Sequence, residues 1–328
     1  MDFVKSFKQK LLSGQFDFEE MALTLFAWQA KHNSVYKRYL DALGRDIQQV
    51  KQLTDIPFLP IAFFKSQDVV SGHFEAVATF ESSGTTGAQT SRHKVADLDF
   101  YQKLTQKLFE ESYGPLQDWS ILALLPSYLE RNNSSLVAMV DYFIKESGQS
   151  TGGFYLNDLK ALIQQIEKNK FLGHKTLLIG VSFALLDLAE HQEINLSDIV
   201  IMETGGMKGR RKELTRFELH EQLKSAFRVK SIHSEYGMTE LFSQSYSSGE
   251  GLFKISSSFN VLIRDINDPF TYMSETKKGG INVIDLGNVQ SCAFIETQDI
   301  GMKHDSQYFE VLGRFDQADI RGCNLLVL

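Results

Sequence analysis

An alternation of strand-like and helical segments in the middle of the chain restricts its fold more than any other feature. Short apolar runs at residues 121–125, 176–181, 198–202 and 228–233 are separated by stretches of helical character, such as 211–227. Consecutive parallel strands need crossover connections of a dozen or more residues, usually helices. The alternation therefore predicts an α/β fold, in which helix-flanked parallel strands bind ligands at their carboxyl ends.

The segments on either side of this alternation differ from it. The first part of the chain shows helical periodicity, and the last part shows short β-like runs broken by polar turns. Such runs predict a smaller, mainly antiparallel β subdomain of the same globule. We therefore expect one domain over residues 1–328, divided into a helical region at 1–75, an α/β part at 76–248, a β-rich subdomain at 249–312 and a hinge-like tail at 313–328.

Charge and composition exclude several classes of function. The 328 residues carry a formal net charge of −7 and no long basic run, so nucleic-acid binding is not expected. The two cysteines, Cys292 and Cys323, are too few for a disulfide scaffold and fit a reducing cytoplasm. No apolar run reaches the roughly 18 residues of a membrane-spanning helix, so integral membrane association is not expected.

A hydroxyl-rich turn follows Phe80 and Glu81. Glycines allow close backbone approach to a ligand, and clustered amides and hydroxyls form a nest that holds phosphate. On composition alone, a polar surface loop explains the segment equally well. It is not a Walker A loop, because no Gly-Lys-Ser/Thr follows. The residues of the turn are Ser82, Ser83, Gly84, Thr85, Thr86 and Gly87.

Three further segments combine glycine with functional side chains. Residues 236–240 read Tyr-Gly-Met-Thr-Glu and follow a strand candidate. They supply an aromatic ring, a hydroxyl and a carboxylate. Residues 203–206 read Glu-Thr-Gly-Gly, and 313–316 read Gly-Arg-Phe-Asp. Taken singly, a capped turn, a β–α turn and a charged hinge would explain them as well. A carboxylate beside bound phosphate could hold Mg²⁺, which prefers such oxygens.

Taken in order, these segments resemble the adenylate-forming superfamily of acyl-CoA synthetases, peptide-synthetase adenylation domains and luciferases. Residues 82–87 resemble its phosphate loop, and 236–240 match its Tyr-Gly-x-Thr-Glu motif. Residues 298–301, Gln-Asp-Ile-Gly, are similar to its Thr-Gly-Asp segment, and 313–316 resemble its hinge motif. The likeness spans about residues 80–323, three quarters of the chain.

The resemblance implies ATP and Mg²⁺ as cofactors and assigns roles on the phosphate side. The turn at 82–87 would hold the β- and γ-phosphates, Thr239 would bond the α-phosphate, and Glu240 would hold Mg²⁺. The family's loop continues with Pro-Lys, which is missing here. Arg92 or His93 is therefore a candidate for the cation that the family's loop lysine supplies.

The resemblance also implies how the nucleoside is held. Tyr236 would stack on adenine, and Gly205 and Gly206 would line the adenine slot. Asp299 would be the ribose-binding carboxylate, with Arg314 on the ribose side.

The family's C-terminal domain, of about 100 residues with a catalytic lysine, is expected to be essentially absent here. The nearest resemblance is therefore to the acyl-protein synthetase branch, in which a cysteine near the C-terminus accepts the acyl group from acyl-AMP. Cys323, within Ile-Arg-Gly-Cys, occupies a suitable place, although an incidental cysteine is an equal alternative.

The implied function is ATP-dependent activation of a carboxylic acid, fatty or other acyl, to acyl-AMP in the cytoplasm. Pyrophosphate is released, and the acyl group then passes to a thiol of Cys323, coenzyme A or an acceptor protein. Two alternatives stay open. One is a split ligase that needs a partner chain, and the other is a nucleotide- or acyl-binding module without catalysis.

Overall fold

The computed structural model describes six parts of the chain, residues 2–82, 89–126, 131, 133–191, 194–205 and 214–315. Within them the strands are β1 (Leu59–Pro60), β2 (Ala78–Glu81), β3 (Arg92–Val95), β4 (Trp119–Leu124), β5 (Gly153–Phe154), β6 (Lys175–Val181), β7 (Val200–Thr204), β8 (His233–Tyr236), β9 (Ser245–Ser247), β10 (Leu252–Lys254), β11 (Phe259–Arg264), β12 (Lys278–Asp285), β13 (Phe294–Lys303) and β14 (Tyr308–Arg314). The α-helices are α1 (Phe3–Ser13), α2 (Phe18–His32), α3 (Ser34–Ala42), α4 (Phe63–Ser66), α5 (Leu98–Tyr113), α6 (Ser135–Glu146), α7 (Leu159–Leu172), α8 (Ser182–His191) and α9 (Arg216–Phe227).

The predicted parallel sheet is confirmed. Strands β5, β4, β6, β7 and β8 lie side by side in that order, all parallel. Strand β4 is buried along its whole length, as expected for a strand covered on both faces. Strand β8 begins at His233, later than the predicted 228–233, because Arg228 caps the end of α9 with a φ of 58°, in the left-handed region rather than in the extended one. A connecting segment must follow before the chain can join the sheet.

The predicted antiparallel region is also confirmed, and it is continuous with the parallel strands. Strand β9 pairs antiparallel with β8, and the sheet continues through β10, β14, β13, β12 and β11. Strand β8 therefore has a parallel neighbour on one side and an antiparallel neighbour on the other. Open α/β sheets usually bind ligands outside the carboxyl ends of their parallel strands, and the carboxyl end of β8 lies at that edge.

The N-terminal helices are fixed to the sheet by one buried amide. Gln29 on α2 is fully buried. Its Nε2 donates to the carbonyl oxygens of Asn288 and Ser291 at 2.8 and 3.1 Å, and its Oε1 accepts from the backbone N–H of Ala293 at 2.9 Å. Because buried polar groups are costly unless they are paired, these bonds fix α2 against the segment before β13.

A separate hairpin, β2–β3, flanks the hydroxyl-rich turn. The two strands pair antiparallel from Ala78 opposite Val95 to Glu81 opposite Arg92. Beyond them, the backbone N–H of Ser91 donates to Ser82 Oγ at 2.9 Å. These bonds hold together the two ends of the segment that contains the turn.

Candidate active site

The base of the hydroxyl-rich turn lies beside the Thr239–Glu240 segment. His93 on β3 has Nδ1 3.0 Å from the carbonyl oxygen of Thr239, and its ring stacks on Phe242 at 4.7 Å. Ser91, immediately before β3 and next to the turn, hydrogen-bonds to the Glu240 carboxyl group. Two segments that are far apart in sequence therefore meet at one place.

His93 does not supply the cation expected near the phosphate loop. Burial lowers its pKa to about 4, so the ring is neutral near pH 7. A carbonyl oxygen only accepts, so Nδ1 carries the proton and His93 positions Thr239 through its backbone. The neighbouring candidate is Arg92, whose side chain is about half exposed. Its Nη2 lies 3.7 Å from Asp68 Oδ1, so the two side chains form an ion pair.

Glu240 is a buried carboxyl group with few protein partners. Its side chain is 7% exposed, and desolvation raises its pKa. Among the residues that the structure describes, no group of three or more His, Cys, Asp or Glu could hold a metal by itself. Since Mg²⁺ is commonly held by one or two carboxylates together with substrate phosphates, Glu240 fits such a shared site.

The three residues predicted to hold the nucleoside form one cluster. The Tyr236 hydroxyl, at the end of β8, donates to Asp299 Oδ2 at 2.8 Å. Arg314 on β14 faces Asp299 on β13 as its pairing partner, and its Nε lies 3.5 Å from Asp299 Oδ1. The structure thus joins three separately predicted residues through one hydrogen bond and one ion pair.

Packing fixes the Tyr236 ring of this cluster, whereas the Arg314 side chain is 64% exposed. The Tyr236 ring is 7% exposed and contacts Phe253, Phe259 and Phe309, with centroid distances of 5.4 to 6.1 Å. Burial raises the pKa of Asp299, while Arg314 and the tyrosine hydroxyl act in the opposite direction. A nearly buried carboxylate with a partner on each oxygen is held in one orientation.

A cavity of about 160 Å³ lies against the segment that follows Tyr236. It lies between the first turn of α6, the carboxyl ends of β7 and β8, and the segment after β8. Glu81 and Thr239 both line it, so the hairpin and the Tyr236–Glu240 segment share one cleft. The lining residues are Glu81, Tyr101, Arg131, Ser134, Ser135, Leu136, Met139, Thr204, Glu235, Gly237, Met238, Thr239 and Gln244.

Glu235 is a site residue that the sequence analysis missed. Its Oε2 accepts a hydrogen bond from Thr204 Oγ1 at 2.7 Å, and desolvation raises its pKa to about 7. Its Oε1 lies so close to the Gly237 backbone that a Cβ on Gly237 would meet it at 2.2 Å. A carboxylate next to the carboxyl end of a buried strand is the feature that could have identified it.

Several predicted residues lie outside the described part of the chain. Gly205 is described, at the end of β7 with a φ of 35°, which favours glycine. Of the two cysteines, Cys292 is fully buried, and burial raises its pKa to about 12, which makes it a poor nucleophile. The predicted residues outside the described ranges are Ser83, Gly84, Thr85, Thr86, Gly87, Gly206 and Cys323.

The described residues have the fold of the large N-terminal domain of adenylate-forming acyl-CoA ligases. One similar structure is 2-hydroxyisobutyryl-CoA ligase in an open conformation with 2-HIB-AMP and CoA, at a TM-score of 0.63 and 11% identity over 91% of this chain and 74% of that one. ATP-bound MatB from Rhodopseudomonas palustris gives a TM-score of 0.56 and 13% identity over 74% of this chain and 49% of its own.

O-succinylbenzoate coenzyme A synthetase (MenE) from Bacillus subtilis, in complex with ATP and magnesium ion, gives a TM-score of 0.53 and 18% identity over 73% of this chain and 50% of that one. The aligned region is thus about half the length of the MatB and MenE chains. No protein-family model matches the sequence, and no curated protein matches it. Among the described residues, no helix is both long enough and apolar enough to cross a membrane.

Proposed function

We propose that the protein activates a carboxylic acid, fatty or other acyl, with ATP to form acyl-AMP and pyrophosphate, and that the acyl group then passes to a thiol. The observation that carries this proposal is the Tyr236–Asp299–Arg314 cluster, together with a cavity that the segment following Tyr236 shares with the hairpin. The fold shared with ligases that were solved with ATP or an acyl-AMP supports the same reaction.

The chain's own residues would act by positioning and by charge. Asp299, which contacts Tyr236 and Arg314, would accept hydrogen bonds from ribose hydroxyls. The turn at 82–87 would cradle the β- and γ-phosphates, and Thr239, fixed by His93, would bond the α-phosphate. Attack of the acid carboxylate on the α-phosphorus then needs alignment more than covalent help from the protein.

The remaining proposed roles concern the base and the metal. Tyr236 would stack on adenine, and Gly205 and Gly206 would line the adenine slot. Glu240, together with the phosphates, would hold Mg²⁺, which supplies charge neutralisation when bound.

The thiol that accepts the acyl group could come from the chain itself or from another molecule. Cys292 is excluded by its burial and raised pKa. Cys323 is therefore the candidate acceptor within the chain, and coenzyme A or the thiol of an acceptor protein are the external ones.

The test is carboxylate-dependent ATP–pyrophosphate exchange, measured for the wild type and for Glu240→Gln. Loss of the metal-binding charge should lower exchange by about 100-fold or more, because charge stabilisation is usually a large part of catalysis. The exposed Glu19→Gln, on α2, is the matched control and should retain wild-type exchange.

Other outcomes would point elsewhere. Full exchange in Glu240→Gln would remove Glu240 from the metal role. Exchange that appears only after a partner chain is added would favour the split ligase. Binding of ATP without any pyrophosphate release would favour a nucleotide- or acyl-binding module.

A further inference from the structure

We propose that Asn288, in the segment between β12 and β13, is a positioning residue that fixes the backbone of Glu240 and thereby determines how tightly the proposed site holds Mg²⁺. This inference rests on the proposed function, in which Glu240 holds the metal together with the phosphates of ATP. It follows from buried hydrogen bonds between two segments that are 48 residues apart in sequence.

Both ends of the Asn288 amide are bonded to backbone groups. The side chain is 1% exposed. Its Nδ2 donates to the carbonyl oxygens of Glu240 and Cys292 at 2.8 and 2.9 Å, and its Oδ1 accepts from the backbone N–H of Phe242 at 3.2 Å. Each donor and acceptor of the amide meets a group of the opposite kind, so these contacts specify one orientation of the side chain.

Together with His93, Asn288 holds the backbone on both sides of the Glu240 Cα. The His93 ring bonds to the carbonyl oxygen of Thr239, which belongs to the peptide unit before that Cα. Asn288 bonds to the carbonyl oxygen of Glu240, which belongs to the peptide unit after it. Since peptide units are planar, the two bonds restrict both backbone dihedrals of Glu240. The position of the carboxyl group then depends on its own side-chain torsions, and Ser91 bonds to it directly.

Asn288 is itself held in place by neighbouring elements. Its backbone N–H donates to the carbonyl oxygen of Asp285 at 3.1 Å, and its carbonyl oxygen accepts from Gln29 Nε2 at 2.8 Å. The Asp285 carboxyl group is fully buried and accepts from the backbone N–H groups of Phe242 and Gly287, both at 2.8 Å. Buried polar networks whose members are paired make their surroundings rigid. The network therefore presents the Asn288 amide to Glu240 in one place.

A fixed backbone at Glu240 matters because Mg²⁺ demands near-ideal octahedral geometry, with ligands at about 2.0–2.1 Å. A carboxylate on a loosely held backbone meets that demand less often. Residues that orient a metal ligand without touching the metal typically contribute about 10–100-fold in metal affinity or activity. Asn288 acts in this way, through the backbone of Glu240, so its removal should affect the part of ATP affinity that depends on the metal.

The experiment measures the dissociation constant of ATP by calorimetry, once with Mg²⁺ and once with EDTA. The ratio of the two constants is the affinity gain from the metal. Asn288→Ala should lose about 10-fold of the wild-type gain, or all of a smaller gain, while its constant in EDTA stays close to that of the wild type. In the exchange assay, the Mg²⁺ concentration that gives half the maximal rate should rise about 10-fold.

The matched control is Asn33→Ala. Asn33 is also a fully buried amide, and it donates to the same segment, at the carbonyl oxygen of Ser291, 3.1 Å away. Its loss should lower stability in urea unfolding and leave the gain at the wild-type value. A second variant, Asn288→Asp, keeps the shape of the side chain and the acceptor for Phe242 but not the donor, so it should lose the gain as Asn288→Ala does. Partial misfolding lowers the binding stoichiometry, whereas the dissociation constants report the folded molecules.

Glu240→Gln is the reference that separates this inference from the proposed function. If Glu240→Gln loses the gain while Asn288→Ala and Asn288→Asp keep it, the inference is overturned and the metal role of Glu240 stands. An equal loss of the gain in Asn33→Ala would show a general effect of destabilisation and would also overturn it. A wild type without any gain, or a full gain in Glu240→Gln, would reject the metal role of Glu240 and this inference with it.

Discussion

Replacement of Glu235 by Gln removes a carboxyl group that ionises in an unfavourable place. Desolvation raises its pKa from the ordinary 4.5 to about 7 in the folded protein. The hydrogen bond from Thr204 favours the charged form but does not offset this desolvation. Glutamine has nearly the same shape and can still accept from Thr204, so the substitution isolates the charge.

The pKa difference sets both the size and the pH range of the effect. The folded protein holds the Glu235 proton more tightly than the unfolded chain does, so the free energy of unfolding falls as pH rises from 4.5 to about 7. At about 1.4 kcal/mol per pKa unit, the free energy of unfolding decreases by about 3 kcal/mol, most of it between pH 5 and pH 8. The Glu235→Gln variant has no ionisable group at this position, so its free energy of unfolding does not decrease for this reason.

The assay is urea unfolding of the wild type and Glu235→Gln at pH 5 and pH 8. Subtracting the two proteins at each pH cancels the other titrating groups, and the variant's advantage should grow by about 2 kcal/mol or more over this interval. The exposed Glu75→Gln serves as a control and should show no such growth. An advantage that is equal at pH 5 and pH 8 would refute the desolvation argument.

Two further predictions concern the nucleoside cluster and the acyl acceptor. Tyr236→Phe removes the hydrogen-bond donor to Asp299. Because hydrogen bonds to charged groups contribute about 1.5–3 kcal/mol, the KM for ATP in the exchange assay should rise about 10-fold. An unchanged KM would contradict this prediction. When the Cys292→Ala protein is incubated with ATP and a radioactive acid, it should become labelled, and neutral hydroxylamine should release the label. The Cys323→Ser protein should not become labelled. Label that persists in Cys323→Ser would rule out Cys323 as the acceptor.

Local patterns in the sequence were enough to predict the outline of the fold. Apolar runs with helical segments between them specified the parallel strands, because that alternation has few other packed solutions. The pairing of β8 with β9, which joins the two halves into one sheet, could not be predicted. Register between strands depends on three-dimensional contacts, such as the Ser234–Ser247 pairing, that no local pattern encodes.

The candidate site was predictable only in part, for a similar reason. Motif order identified Tyr236, Asp299 and Arg314, and the structure places them together. Glu235 and Gln244 belong to no motif, and the fold places both in the wall of one cavity. That placement is a property of the packed fold, so this wall could not be predicted from the sequence.

His93 is a residue for which the sequence suggested a positive charge and the structure indicates a neutral ring. A histidine beside a phosphate-binding turn invites interpretation as a cation. In the structure its ring packs against Phe64 and Phe242, and burial lowers its pKa to about 4. Sequence position alone does not decide the charge of a histidine, because burial can outweigh its intrinsic basicity.

Equilibrium binding of ATP, measured by calorimetry with Mg²⁺ present, tests the nucleotide site most directly. The wild type should bind ATP, and Asp299→Asn should bind about 10-fold more weakly because a fixed charged acceptor is lost. The exposed Glu275→Gln, in the same antiparallel region, should bind like the wild type. Absence of ATP binding by the wild type, or equal affinity in Asp299→Asn, would contradict the assignment of this cleft to a nucleotide.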